Sequence, residues 1–397
     1  MSSPHALPEL GDGAERRFDL DVGGIRVLFG AGTEEQLGEV AAQLGRRPLV
    51  VTDPGLIAAG HVQRGVDSLT RAGLEPAVFD GAAENPTTEH VARGVDAARR
   101  HDADLLIGLG GGSSMDCAKG INFLYTNGGQ MEDYWGVGKA TKPMLPSVGV
   151  PTTAGTGSEA QRFALISQAD THRKMACGDK KARFHTVILD SNVLATVPRD
   201  IAAVTGIDAL SHAVESYVTR RRNAISQLFA REAWRLIERS FEQSLEADGV
   251  DARADMLLGA HFAGAAIEAS MLGAAHSCAN PLTARYGVVH GTAIGVMLPH
   301  VVRFNGREVD DLYGDLVQTA GLNGHRPTGD APEAERLSGR LEDLLRAGHQ
   351  PRRLEDCGVE RAQLEQLAAE AAEQWTAQFN PRTVDAADLL GLYDAAF

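Results

Sequence analysis

Short apolar runs alternate with helix-spaced apolar positions through the first half of the chain. Arg26–Phe29, Pro48–Thr52, Pro76–Phe79, Leu105–Leu109, Pro146–Val150 and Thr186–Leu189 read as strands. Between them, Glu34–Leu44, His61–Ala72 and Glu89–Arg100 repeat apolar residues every three to four positions and read as helices. Runs that are apolar throughout belong to strands buried on both faces, which predicts a parallel sheet covered by helices. From about Pro198 the strand signal stops. Ala224–Ala247, Arg253–Leu272 and Arg361–Gln378 keep the helical period, and Leu322–Glu335, rich in Gly, Pro and polar residues, reads as a loop. The expected architecture is an α/β domain over residues 1–197, with residues 1–16 as a flexible tail, then an all-helical domain over 198–397.

Composition narrows the partners. The chain has 397 residues, with 38 Lys plus Arg against 53 Asp plus Glu, a formal charge of −15. Such a surface repels phosphate backbones and anionic lipid, so neither nucleic acid nor a membrane is an expected partner. No apolar run reaches the roughly 18 residues of a membrane span, and residues 1–16 lack the apolar centre of a secretory leader. Cys117, Cys177, Cys278 and Cys357 lie far apart, without a CxxC pair, which fits a reducing cytoplasm.

Three segments carry candidate chemistry. In LLIGLGGGSSMD (105–116) an apolar strand runs into Gly110-Gly111-Gly112, then Ser113-Ser114 and a helical pattern. Glycines allow close approach of a ligand, and a helix start offers unpaired N–H groups and a positive dipole end. This is a candidate phosphate cradle, distinct from GxGxxG; a tight strand–helix turn with nothing bound is the alternative. Asp53, at the end of the second strand, either accepts hydrogen bonds from a ribose diol or opens the Asp53-Pro54-Gly55 turn. The loop PTTAGTGSE (151–159) offers Thr152, Thr153 and Thr156 to a ligand, or caps itself at the surface.

In GIDALSHAVESYVT (206–219), Asp208 and His212 are four residues apart and share a helix face. With His276 and His290, both set among apolar and small residues, they make a one-carboxylate, three-imidazole set suited to Fe²⁺ or Zn²⁺. An Asp–His hydrogen bond plus two core histidines is the plainer alternative. Cys278 reads as a small packed residue and His300 as structural. His261, on an apolar helix, is a candidate to line a cleft; His5, His101, His325 and His349 read as surface residues.

Taken together, GGGSSMD, PTTAGTGSE, GIDALSHAVESY and AHSCANPLTARYGVVHG…LPHVV resemble the iron-containing (group III) alcohol dehydrogenase family, in order and spacing, over nearly the whole chain. The resemblance implies a Rossmann-like dinucleotide-binding domain followed by an all-α metal-binding domain, an architecture shared with dehydroquinate synthase. It implies metal ligation by Asp208, His212, His276 and His290, with iron as the metal and zinc as the alternative. It implies cofactor contacts at Asp53, Asn85, Gly111, Gly112, Ser113, Asp116, Thr152, Thr153, Thr156, Lys174 and Val193, with NAD favoured over NADP by the charge of Asp53. The implied activity interconverts a primary alcohol and a small aldehyde in a homodimer, the metal polarising the substrate oxygen and the nicotinamide carrying hydride.

The chain departs from the family pattern at Asn280, where many members have a further histidine. Here Asn280 is expected to orient a water that moves the proton. Gln161 and Phe163 also replace smaller polar residues. Arg162 and Arg285 are candidates to hold an anionic aldehyde, or are simply solvated or paired with acidic neighbours. Glycerol dehydrogenase-like or dehydroquinate synthase-like chemistry, or a non-catalytic nucleotide-binding relative, are the competing readings.

Overall fold

The computed structural model describes residues 16–171, 173–322 and 331–397. In chain order the first half contains β1 (Phe18–Val22), β2 (Ile25–Phe29), α1 (Leu37–Ala42), β3 (Pro48–Val51), α2 (Pro54–Ala58), α3 (His61–Arg71), β4 (Ala77–Phe79), α4 (Thr88–His101), β5 (Leu105–Gly110), α5 (Gly112–Asn127), β6 (Gly136–Val137), β7 (Ser147–Pro151), β8 (Phe163–Ser167), β9 (Lys174–Gly178) and β10 (Thr186–Leu189). Seven strands form one sheet in the order β1-β2-β10-β7-β5-β3-β4. All its pairings are parallel except β1 with β2. The central strands β3, β5, β7 and β10 are buried at every residue, as their continuous apolar runs require.

The reading of six strands and three helices matches this sheet, and four strands escaped it. β1 pairs with β2 as a hairpin whose turn, Gly23-Gly24, has φ of 62° and 86°. Positive φ at both positions is type I′ geometry, which matches the twist of the flanking strands and which glycine adopts without steric cost. Leu20 on this edge strand is 58% exposed. The others, β6, β9 and β8, form a small second sheet beside the main one. The expected flexible tail does not extend to Arg16, whose guanidinium donates to Asp255 Oδ1 at 2.6 Å; residues 1–15 lie outside the described part.

The second half contains α6 (Arg199–Val218), α7 (Ala224–Ser244), α8 (Val250–Ala269), α9 (Ala274–Tyr286), α10 (His290–Thr319), α11 (Glu333–Ala347), α12 (Leu364–Ala372) and α13 (Ala386–Ala396). Of the sixteen positions of α6 from Ala203 to Val218 all but Thr205 are buried, so this helix runs through the middle of the domain. The expected helix 361–378 is instead α12 flanked by 3₁₀ turns at Arg361–Gln363 and Ala377–Phe379. Thr376, in the break, is drawn to Ser277 of α9 by a 2.7 Å hydroxyl–hydroxyl bond. Of the expected loop 322–335, residues 323–330 lie outside the described part and the end belongs to α11. No single helix among the described residues is long and apolar enough to cross a membrane.

The two halves meet where α8 crosses the loop after β7. A Cβ on Gly264 would lie 2.3 Å from the Gly157 carbonyl oxygen, and one on Gly157 would lie 2.6 Å from Gly264 Cα. Only glycine at both positions permits this backbone contact. On either side His261 Nδ1 meets Glu159 Oε1 at 3.1 Å, and Arg162 binds Glu268 through Nε at 2.6 Å.

Candidate functional site

Parallel strands place the loops that follow them on one edge of the sheet. Pairing of β5 with β7 sets Gly110 opposite Pro151, and pairing of β3 with β5 sets Val51 opposite Gly108. The segments after β3, β5 and β7 therefore lie side by side, bringing Asp53, Gly111–Ser113 and Thr152–Thr156 to a common edge. α5 begins there with Gly111 as an N-cap lacking any capping side chain. An uncapped helix start of this kind is suited to binding an anion. A Cβ on Gly112 would lie 2.5 Å from Thr156 Oγ1, and one on Gly111 would lie 3.5 Å from Thr153 Oγ1. The two candidate ligand loops are thus walls of one cradle. Thr152, by contrast, is 2% exposed and its N–H bonds Gly110 O at 3.0 Å.

Other expected cofactor residues have structural work. Asp53 is the N-cap of α2, accepting from Gly55 N at 2.9 Å and Leu56 N at 3.2 Å through the same oxygen. The turn-opening alternative is therefore realised, with Oδ2 left over. Asn85 turns the chain with φ of 50°, a conformation asparagine tolerates better than most residues. Asp116 is buried, accepts from Ser158 Oγ at 2.6 Å, and lies 3.7 Å from Lys119 Nζ. Burial pushes its carboxyl above the usual range, against the pull of Lys119. Val193 is 1% exposed and lies behind the surface rather than on it. Lys174 on β9 remains open to solvent. Crowding by surrounding protein lowers its pKa, while Asp116, Asp208 and Glu84 oppose that shift; with water still at its side chain we read it as a charged group on a cleft wall.

The metal-type cluster forms from three helices of the second half. α6 carries Asp208 and His212 one turn apart, α9 carries His276, and α10 opens with His290. Donor atoms of Asp208, His276 and His290 all lie within 4.8 Å of one another. His212 Nε2 is 3.1 Å from His276 Nε2 and 3.4 Å from Asp208 Oδ1, and His276 Nε2 is 3.8 Å from that oxygen. A tetrahedral ion with metal–ligand bonds of about 2.1 Å spaces its ligands about 3.4 Å apart, the middle of this set. Asp208 Oδ1 is buried without a hydrogen-bond partner, a cost that an ion would remove. Burial lowers the pKa of His212, and that of His290 to about 3, so both rings are neutral and have a lone pair to give. Burial works against the Asp208 carboxylate, while positive charge on the neighbouring imidazoles or on Lys174 favours it, and the net direction is below its ordinary range. The donor set thus fits a divalent ion such as Fe²⁺ or Zn²⁺.

Around this cluster, several expectations change. Asn280 follows His276 by one turn, but its Nδ2 donates to Gln374 Oε1 at 3.1 Å. His261 does not line the cleft: it is 1% exposed and paired with Glu159. Gln161 braces the cradle loop, donating to Thr156 O and Gly157 O. Arg162 is paired with Glu268 and Arg285 with Glu370, so the paired alternative holds for both and neither is free to hold an anion. Phe163 packs against Trp375 across the two halves, ring centroids 6.0 Å apart and planes tilted by 42°. Sequence reading missed Glu215, which accepts from His276 Nδ1 and, at 2.8 Å, from Ala275 N. It lies seven residues after Asp208, and that two-turn spacing was the available signal. Lys119, 2% exposed and donating to Ser158 O, Ser158 Oγ and Phe163 O, was also missed.

Comparison with known proteins identifies the family and the fold. The sequence profile described as iron-containing alcohol dehydrogenase matches residues 25–191, and that of the C-terminal part of the same family matches residues 202–397. The chain is 34% identical over 362 residues to alcohol dehydrogenase 4 of Schizosaccharomyces pombe, covering 89% of this chain and 83% of that one. It is 33% identical over 387 residues to 1,3-propanediol dehydrogenase of Klebsiella pneumoniae, covering 96% and 99%. Among solved structures, 1,3-propanediol oxidoreductase superposes with a TM-score of 0.91 at 33% identity, covering 96% of this chain and 100% of that one.

Proposed function

The chain belongs to the iron-containing alcohol dehydrogenase family, and on that premise we propose how its own residues carry out the family's NAD(P)-linked interconversion of alcohols and aldehydes. Asp208, His212, His276 and His290 hold the metal; Gly111, Gly112, Ser113, Thr153 and Thr156 hold the cofactor's phosphates. When bound, the metal supplies Lewis acidity toward the substrate oxygen and the nicotinamide exchanges hydride with the carbon. The protein's part is to place these groups and to keep water out. The α8 seam at Gly157 and Gly264 sets the distance between cradle and ligand cluster, and proximity of this kind accounts for much of the barrier lowering in such reactions. Asp208 would contribute one negative charge beside three imidazole donors, a set that would leave a divalent ion its Lewis acidity. Lys174, on the cleft wall, meets the cofactor's negative charge.

The observation that carries this reading is the unpartnered Asp208 oxygen facing three imidazoles, on the same side of the molecule as Lys174 and the cradle. The substrate we assign is a small neutral alcohol or aldehyde, because Arg162 and Arg285, the candidate anion holders, are already paired. Asn280 keeps its place as a water-orienting group only through Oδ1. The division of labour falls at residues 197/198. Four unpaired cysteines support a reducing cytoplasm, and the exposed edge strand β1 supports a homodimer, to be checked by light scattering. The test is a panel of neutral and anionic aldehydes and alcohols, assayed by NADH absorbance with Fe²⁺- or Zn²⁺-loaded protein. Full activity after exhaustive chelation would refute the metal-centred reading.

A further inference from the structure

His276 lies in the first turn of α9, so the anchoring of that helix start fixes where the ring sits. α9 starts after Gly273, which has no side chain to cap it. Its first N–H groups find acceptors far away in the chain. Ala274 N donates to Asn380 Oδ1 at 3.2 Å, and Ala275 N donates to Glu215 Oε1 at 2.8 Å. The other oxygen of Glu215 accepts from His276 Nδ1. Glu215 is 4% exposed and sits on α6, two turns beyond Asp208.

We infer that Glu215 is a positioning residue of the metal centre. One oxygen docks the start of α9 onto α6, and the other keeps His276 in the Nδ1–H tautomer, whose Nε2 lone pair points at Asp208 and His212. The inference rests on the metal-centre reading above. A carboxylate is required here because both neighbours are donors, and an ionised carboxylate accepts at both oxygens. An amide of the same shape accepts at one atom and donates at the other. In Glu215→Gln, either an NH₂ group faces the Ala275 N–H, or it faces His276. In the second case the ring takes the Nε2–H tautomer, which has no lone pair left for an ion. Carboxylate–histidine–metal arrangements of this kind are a general device for fixing ligand orientation.

The test measures Zn²⁺ affinity of the full-length folded protein by chelator competition, and the visible spectrum of the Co²⁺ form. Glu215→Gln should bind Zn²⁺ about 10- to 100-fold more weakly and show altered Co²⁺ bands. Wild-type Zn²⁺ affinity in this variant, even alongside a lowered melting temperature, would overturn the inference. Failure of wild type itself to bind Zn²⁺ would overturn the metal-centre reading first, and is separately visible. Should the variant not fold, ¹⁵N-histidine spectra of the zinc-loaded wild type decide. A proton on His276 Nδ1 with zinc on Nε2 is expected, and zinc on Nδ1 would sink the idea.

Discussion

A methyl group added at Gly112 would enter space that Thr156 already fills. An ideal Cβ there lies 2.5 Å from Thr156 Oγ1, 2.6 Å from its Cγ2 and 2.9 Å from its Cβ. Unbonded heavy atoms in ordinary contact stay about 3.5–4.0 Å apart, so the shortfall is roughly an ångström. Rotating the threonine moves Oγ1 and Cγ2 but leaves Cβ too close, and it breaks the 3.2 Å hydrogen bond from Ser158 N to Oγ1. The loop cannot swing away freely, because one residue further on Gly157 is pressed against Gly264. The strain must therefore spread α5 from the loop, at the roughly 1–3 kcal/mol typical of overpacking. Because that strain must be taken up again when the cofactor draws the walls together, Gly112→Ala weakens NADH binding about 5- to 140-fold, since 1.4 kcal/mol is tenfold. Fluorescence titration with NADH measures this directly, alongside thermal melts. Thr156→Gly removes the whole obstruction, so the double variant should bind NADH more tightly than Gly112→Ala alone, with a coupling energy of about 0.5–3 kcal/mol. Wild-type affinity in Gly112→Ala, or no recovery in the double variant, refutes the shared-wall geometry.

Other outcomes follow from single contacts. Asp53→Asn keeps an oxygen for the Gly55 and Leu56 N–H groups while removing the charge; KM for NADPH should fall about tenfold or more, the scale of a like-charge repulsion of about 1–4 kcal/mol at close range. An unchanged NADPH/NADH ratio in steady-state kinetics would deny Asp53 its ribose role, and Asp53→Ala should in addition lose about 1 kcal/mol of capping. Exhaustive chelation should abolish turnover and lower the melting temperature, and Zn²⁺ returned at 100 times its Kd should restore about 2.7 kcal/mol; identical melts with and without metal would count against the site. His61 is fully buried, with Nε2 2.6 Å from Thr196 Oγ1 and Nδ1 accepting from Arg64. Burial, then Arg64, lowers its pKa. Because the folded value lies below the unfolded one, its contribution is complete above about pH 6.5 and is lost as pH falls below that. Melting temperatures from about pH 7.5 to 5 should fall less steeply in His61→Gln than in wild type; parallel slopes would refute this.

The parallel sheet was legible because β3, β5, β7 and β10 are buried on both faces and so read as unbroken apolar runs. The ligand set was legible as residue types, Asp208 and His212 by helical spacing and His276 and His290 by the family resemblance. What stayed hidden depends on partners distant in sequence. β8 and β9 are short, and only their pairing with each other, Ser167 opposite Lys174, makes them strands. Glu215 looks like one more acidic residue on a helix until α9 is laid against it, 60 residues from its bond to Ala275 N. Arg162 and Arg285 offered charge in the sequence, but charge is cancelled by neighbours such as Glu268 and Glu370 that spacing cannot foresee. Asp53 shows the converse. Its local Asp-Pro-Gly turn was readable, and that local role is the one its Oδ1 serves.

The loop at 151–159 belongs to both halves of the molecule. As sequence it is a hydroxyl-rich ligand loop, and Thr153 and Thr156 do stand against Gly111 and Gly112. Its next residues belong to the other half of the molecule. Gly157 meets Gly264, Glu159 meets His261, and Arg162, just beyond, meets Glu268. His261, Gly264 and Glu268 are spaced three and four residues apart and so form one face of α8. A backbone-to-backbone contact of this closeness has no slack, and the polar pairs on either side resist sliding along the helix. The same nine residues therefore form a wall of the cradle and fasten it to the helical half. A shift of the seam would move the threonines against α5, and a spread of the cradle would load the seam. Four candidate ligands and a candidate cradle can each be assembled within one half; the contact of Gly157 with Gly264 fastens one half to the other, and Gly264 lies in no motif.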